Sequence, residues 1–241
     1  FTHLSSSDSV LLVCDLQEKF SRSIFKFAEC VTVASRLVAA ASVLEMPIIG
    51  TEQYPKGLGH LVPELGLSEG TPVFAKTKFS MLIPPVEQLL SSSNPKSVIL
   101  CGVEAHVCVL QTTLDLLERG IAVHVVVDAT SSRSSVDRTF AFKQMERAGA
   151  ILTTSESVIL GMCEGAEHPK FKQAYSSGST LENKKGIGSA HHPSGTSSIK
   201  IHPMRLGPKD RAGFIEAPEG QVTPEKAAQG HGRVEVASSI M

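Results

Sequence analysis

The sequence predicts an α/β fold of three layers, doubly wound, in which helices cover both faces of a mainly parallel six-stranded sheet. Two observations carry this. Six short β-like runs are nearly continuous apolar stretches rather than alternating ones, as expected of strands buried on both faces. Helix-like segments lie between them, and such alternation implies parallel pairing through right-handed crossovers.

In chain order the runs are SVLLVCD (9–15), MPIIGTE (46–52), PVFAK (72–76), KSVILCG (96–102), IAVHVVVDA (121–129) and AILTT (150–154). The first intervening helix, CVTVASRLVAAASVLE, sets Val31, Ala34, Leu37, Val38 and Ala41 on one stripe. VEQLLSSS follows Pro84 and Pro85, residues suited to a helix start. CVLQTTLDLLERG places Leu110, Leu114 and Leu117 on one face and stops at Gly120, a natural residue for a left-handed helix end. SVDRTFAFKQMERAG begins after Ser134 and stops at Gly149.

A chain of 241 residues holds one sizeable domain plus an appendage. The expected organisation is an N-terminal extension (1–8), the α/β domain (9–174) and a tail (175–241). Nine of the 19 glycines and five of the 13 prolines fall in that tail, which shows no sustained period and is expected to be mostly disordered, apart from a short helix start at 223–228. Its four histidines, His191, His192, His202 and His231, are scattered rather than arranged as a metal site. No internal repeat is visible.

A net charge of −1, from 23 basic and 24 acidic side chains, gives neither a nucleic-acid footprint nor a polybasic membrane patch. No apolar run approaches the ~20 residues of a membrane helix. The first residue is Phe1, which predicts a fragment or processed form, and FTHLSSSDS lacks the features of a secretory signal. The cysteines are Cys14, Cys30, Cys101, Cys108 and Cys163. Their odd number, irregular spacing and lack of a C-x-x-C motif argue against a disulfide framework and against structural zinc. A reducing, intracellular and cytoplasmic setting is expected.

Ligands of doubly wound sheets bind outside the carboxyl ends of the strands. Asp15 closes the first run, where it is either a turn residue or a base. Lys76 closes the third, either solvated or placed to stabilise an anion. Cys108 follows the fourth, at a helix start. A buried structural thiol is the ordinary role there, but the free N–H groups and dipole of a helix N-terminus also favour a thiolate. His106 is close in sequence but need not face that thiol. With strands ordered 3-2-1-4-5-6, the switch point lies between strands one and four, flanked by Asp15 and Cys108.

The motifs CDLQEKF, KTKFSM and GVEAHVCVLQTTLDLLERG resemble the isochorismatase-like cysteine-hydrolase superfamily. TEQYPKGLG, VVVDATSSRS, TTSESVIL and HPKFK extend the resemblance over residues 10–172. It implies an Asp–Lys–Cys triad at Asp15, Lys76 and Cys108, with the K-x-x-[FY]-S pattern selecting Lys76 over Lys78. It also implies a non-proline cis peptide at Val103–Glu104 and an oxyanion hole from the backbone N–H groups of Glu104 and Cys108. By motif position, Phe20, Gln53, Tyr54 and Phe79 become pocket walls, and a homo-oligomer is expected.

Three departures from the family pattern matter. Ala105 stands where many relatives have threonine, so one turn hydrogen bond is expected to be missing. Metal-dependent relatives carry Asp-x-His after the second strand. TEQYPKGLGH offers only Glu52, Gln53 and the distant His60, so neither a catalytic metal nor a cofactor is expected. Relatives that cleave the vinyl ether of isochorismate typically lack the cysteine. The presence of Cys108 therefore implies thiol-based hydrolysis of an amide-like C–N bond in a small molecule. The alternative is a non-catalytic interaction protein that keeps the hydrolase fold. A nucleotide-binding reading is weak: GLGHLV lacks the third glycine of a phosphate-binding loop, and GIGSAHH has no strand before it.

Overall fold

The computed structural model describes residues 4–176. The strands are β1 (Ser9–Cys14), β2 (Ile48–Gln53), β3 (Val73–Lys76), β4 (Ser97–Val103), β5 (Ala122–Ser131) and β6 (Ile151–Thr153). They form one sheet in the order β3-β2-β1-β4-β5-β6, and all five ladders are parallel. Each apolar run has become one strand, and the expected order is the observed one. The helices are α1 (Phe27–Val43), α2 (Pro55–Leu58), α3 (Pro84–Ser93), α4 (Leu110–Glu118), α5 (Ser135–Arg147), α6 (Ser155–Cys163) and α7 (Phe171–Ser176). Among the described residues, no helix is long and apolar enough to cross a membrane. The expected tail lies outside the described residues from 177 onward, and its first two residues complete α7.

Strand parity divides the core in two, because successive side chains leave opposite faces of a strand. Leu11 and Val13 of β1 join Ile99, Cys101 and Val103 of β4 against α1 and α6. The α1 stripe expected from sequence is buried there in full. Val10, Leu12 and Cys14 face the other way, with Val98 and Leu100, against α3, α4 and α5.

The face of α4 differs from expectation. Leu114 is exposed, and the residues buried are Thr112, Thr113 and Leu116. The threonine hydroxyls donate to Cys108 O at 2.6 Å and Val109 O at 2.9 Å. With its hydroxyl satisfied inside the helix, a threonine can be buried without an orphaned polar group.

Two local features shape the carboxyl edge. Gly102 lies opposite Cys14 with φ +125°, and a Cβ there would sit 2.0 Å from Cys14 O, so a side chain has no room. At the far side, β5 outruns β6, which pairs only with His124, Val125 and Val126. Beyond that pairing, Arg138 of α5 reaches across, donating from Nε to Thr130 O at 2.8 Å and from Nη2 to Val127 O.

Candidate active site

The chain diverges between β1 and β4, leading to β2 and β3 on one side and to β5 and β6 on the other. Asp15 is the first residue beyond β1 and adopts a left-handed conformation, φ +50°, which aspartate tolerates better than most residues. Its N–H donates to Thr51 O at 3.1 Å, which fixes it beside the end of β2. The carboxylate is fully buried and paired on both oxygens. Thr51 Oγ1 donates to Oδ1 at 2.8 Å, and Lys76 Nζ donates to Oδ2 at 2.7 Å.

Lys76 ends β3, in register with Gln53 of β2. Its ammonium also donates to Gln53 Oε1 at 2.7 Å, to Phe79 O at 2.8 Å and to Lys78 O at 3.3 Å. An ammonium has three N–H bonds, so these oxygens use its capacity fully. Burial alone would push this lysine down. The neighbouring Cys14, Asp15 and Cys108 more than offset that and hold it above its ordinary value.

Cys108 enters from the far side of the switch point. β4 ends at Val103, the Val103–Glu104 peptide is cis as the resemblance implied, and residues Ala105–Val109 form a π-helical turn that runs into α4. Cys108 is only 6% exposed. Its sulfur, the Cys14 sulfur and a carboxylate oxygen of Asp15 all lie within 4.8 Å of one another. The three residues that sequence placed at the ends of strands one, three and four therefore meet at one point.

The remaining expected residues divide. Gln53 is part of the cluster, with Oε1 on Lys76 and Nε2 donating to Thr77 O at 2.9 Å. Tyr54 and Phe79 flank it: their backbones bind Lys76 and their rings are exposed. Phe20 packs in the core on the α1 side. Glu104 forms an ion pair with Arg133 at 3.2 Å, and His106 Nδ1 lies 3.0 Å from Ser132 Oγ. Both side chains therefore tie the turn after β4 to the loop after β5.

Three contributors were missed by sequence reasoning. Thr51 holds the second oxygen of Asp15. Gln17 is fully buried; its Nε2 donates to Gln53 O at 3.0 Å and Gly59 O at 2.7 Å, and its Oε1 accepts from Gln53 N at 2.8 Å. Cys14 lies against Cys108. Burial pushes the Cys14 thiol well above the usual range, and Cys108 and Asp15 push it the same way. Gln17 stands in the quoted motif CDLQEKF, and the alternation of β1 would have put Cys14 on the face shared with Val10 and Leu12.

Glu52 and His60, which stand where metal-dependent relatives carry Asp-x-His, form an ion pair of 3.1 Å in which the histidine is largely exposed. Among the described residues, the histidine, cysteine and carboxylate group compact enough to hold a metal is Cys14, Asp15 and Cys108. The Lys76 ammonium already rests on that carboxylate, so a cation there would have to compete with it.

The isochorismatase domain family model matches residues 9–157. The chain belongs to the isochorismatase family. It is 54% identical over 171 residues to isochorismatase domain-containing protein 2 of Xenopus laevis, covering 70% of this chain and 83% of that one. Among solved structures, a MAR1 ribonuclease from Caenorhabditis elegans is 57% identical with a TM-score of 0.72, covering 80% of this chain and all of its own. YcaC from Pseudomonas aeruginosa, solved with hexane-2,5-diol and covalent acrylamide, is 27% identical with a TM-score of 0.67, covering 73% and 93%.

Proposed function

We propose that this isochorismatase-family chain is a cysteine hydrolase that cleaves a small amide-like C–N bond through Asp15, Lys76 and Cys108. The observation that carries the reading is the meeting of the Cys108 sulfur with a carboxylate whose second function is already fixed by a buried ammonium at 2.7 Å. Asp15 takes the Cys108 proton, and the charge of Lys76, whose N–H bonds stay on the protein oxygens, stabilises the thiolate through space. The thiolate attacks the substrate carbonyl carbon, and the oxygen that becomes negative is received by the backbone N–H groups of Glu104 and Cys108. As the C–N bond breaks, Asp15 returns the proton to the leaving amine. Water then attacks the thioester, giving its proton to Asp15. The acid departs and the thiol is restored. Gln53, Tyr54 and Phe79 are proposed as the walls against which the substrate rests; Phe20, packed in the core, is left out of them. The covalent acrylamide of the Pseudomonas neighbour, an alkylating electrophile, is consistent with a fold that presents a nucleophile.

A second reading comes from the Caenorhabditis neighbour, which is called a ribonuclease. A phosphodiester would need cationic donors, but the Lys76 ammonium is already spent on four oxygens, and Lys78 is engaged by Asp115 at 3.1 Å and Leu82 O at 3.2 Å. The site therefore supports acyl chemistry better.

The test is a screen of small amides and ureides for ammonia release, with single-stranded RNA in parallel. Release that disappears in Cys108→Ser supports the proposal. Release that survives in that variant removes the thiol from the chemistry, and cleavage of RNA alone favours the second reading. A chain inert to all of these, with an unreactive Cys108, is the interaction protein considered above.

A further inference from the structure

Cys14 has no part in that mechanism, yet it is held against the nucleophile. Strand alternation turns its side chain toward Val10 and Leu12, into the apolar cluster that also contains Ala105, Cys108 and Val109. The bare α-carbon of Gly102 gives the backbone of Cys14 room at this point. The two sulfurs lie within 4.8 Å of each other, and an Asp15 oxygen is within the same distance of both. Cys30, Cys101 and Cys163 belong to the other side of the sheet. All five thiols are free.

We propose that Cys14 is a resolving thiol: under a peroxide oxidant the chain forms a reversible Cys14–Cys108 disulfide that blocks the nucleophile. This rests on the reading of Cys108 as the reactive thiol. In the first step the Cys108 sulfur attacks a peroxide oxygen. The O–O bond breaks, one oxygen stays on sulfur as a sulfenic acid, and the other leaves as water. In the second step the Cys14 sulfur attacks the Cys108 sulfur. The S–S bond forms, the S–O bond breaks, and the hydroxide leaves as a second water with the proton that Asp15 takes from Cys14. Two electrons pass from the two thiols to one peroxide.

The order of events follows from the surroundings. Cys14 is fully buried and its thiol is pushed up, so it does not meet the oxidant first. Cys108 keeps 6% exposure where Cys14 keeps none, and it lies beside the base. The sulfurs need close only from under 4.8 Å to about 2.05 Å, the length of a disulfide, which requires a shift of the π-helical turn rather than of the sheet. A thiol reductant reverses the bond by exchange. The neighbouring thiol thus spares Cys108 from the irreversible sulfinic state.

The experiment treats the reduced full chain with hydrogen peroxide and reads intact mass and peptide maps. The expected result is a loss of about 2 Da, with the Cys14 and Cys108 peptides joined and the change undone by reductant. Cys14→Ala and Cys14→Ser should instead gain about 16 and then about 32 Da on Cys108, the latter surviving reductant. The proposal is overturned if wild type reaches the sulfinic state as fast as either variant, or if the linked peptides contain Cys30 and Cys101. Should Cys108 alkylate readily but form no disulfide, only this inference fails. Should it neither alkylate nor oxidise, the hydrolase reading fails with it. The wild-type readings stand even if neither variant folds.

Discussion

Cys101 and Cys108 come from one strand–turn–helix unit, and both are buried, but on different sides of the sheet. Cys101 points toward α1, where its sulfur approaches Leu12 O at 3.7 Å, and burial pushes its thiol far up. Cys108 lies beyond the end of the strand, beside a carboxylate and an ammonium already bound to each other. The contrast separates two effects. Loss of water alone keeps a thiol protonated and inert. A fixed base and cation at the sheet edge give the second thiol somewhere to send its proton and something to balance its charge.

The largest expected effect tests that contrast directly. At neutral pH, iodoacetamide should modify Cys108 at least about 10³-fold faster than Cys101, read as rates of peptide labelling. Comparable rates would mean that position at the edge confers nothing.

Removing the cation should come next. Lys76→Met leaves the Asp15 carboxyl buried and without its strongest partner. Breaking such a pair costs about 3–5 kcal/mol, so urea unfolding should move by that amount and Cys108 labelling should slow. A change below about 1 kcal/mol, the range of exposed pairs, would show that the pair is solvated in solution.

The smallest effect belongs to the α1 side. Burial pushes the Cys30 thiol up to about 12; nearby Arg138 lowers it and Asp128 raises it. A raised folded-state value means that the thiol's contribution to stability is whole below its unfolded value of about 8.5 and is lost as pH rises toward the folded one. The melting temperature should therefore fall gradually above pH ~8.5, and Cys30→Ala should remove part of the fall. An identical slope in the variant would assign the alkaline loss to other groups, such as Cys14.

How far the sequence revealed these sites follows from the range of the interactions. Strands flanked by helices are local patterns, so the runs from Ser9, Met46 and Lys96 could be read directly. Asp15, Lys76 and Cys108 were found because they stand at the ends of such runs, where the fold class itself predicts a ligand. Thr51 was not, because its hydroxyl matters only through pairing with a strand 36 residues away. The π-helical turn at Ala105–Val109 was read as an ordinary helix start, since the extra residue in its i→i+5 bonding leaves no compositional mark. The burial of Thr112 and Thr113 in place of Leu114 was hidden for a similar reason. A hydroxyl that bonds inside its own helix makes a polar letter behave as an apolar one.

The reach of Arg138 has a consequence for how these molecules behave at high concentration. Where β5 runs past β6, a sheet would ordinarily present unpaired backbone to solvent, and such an edge is a template onto which another chain can add. Arg138 occupies the carbonyls of Val127 and Thr130 with its own donors and places a charge on that border. The long fifth strand can therefore run on past β6 without leaving those two carbonyls for another chain to pair with.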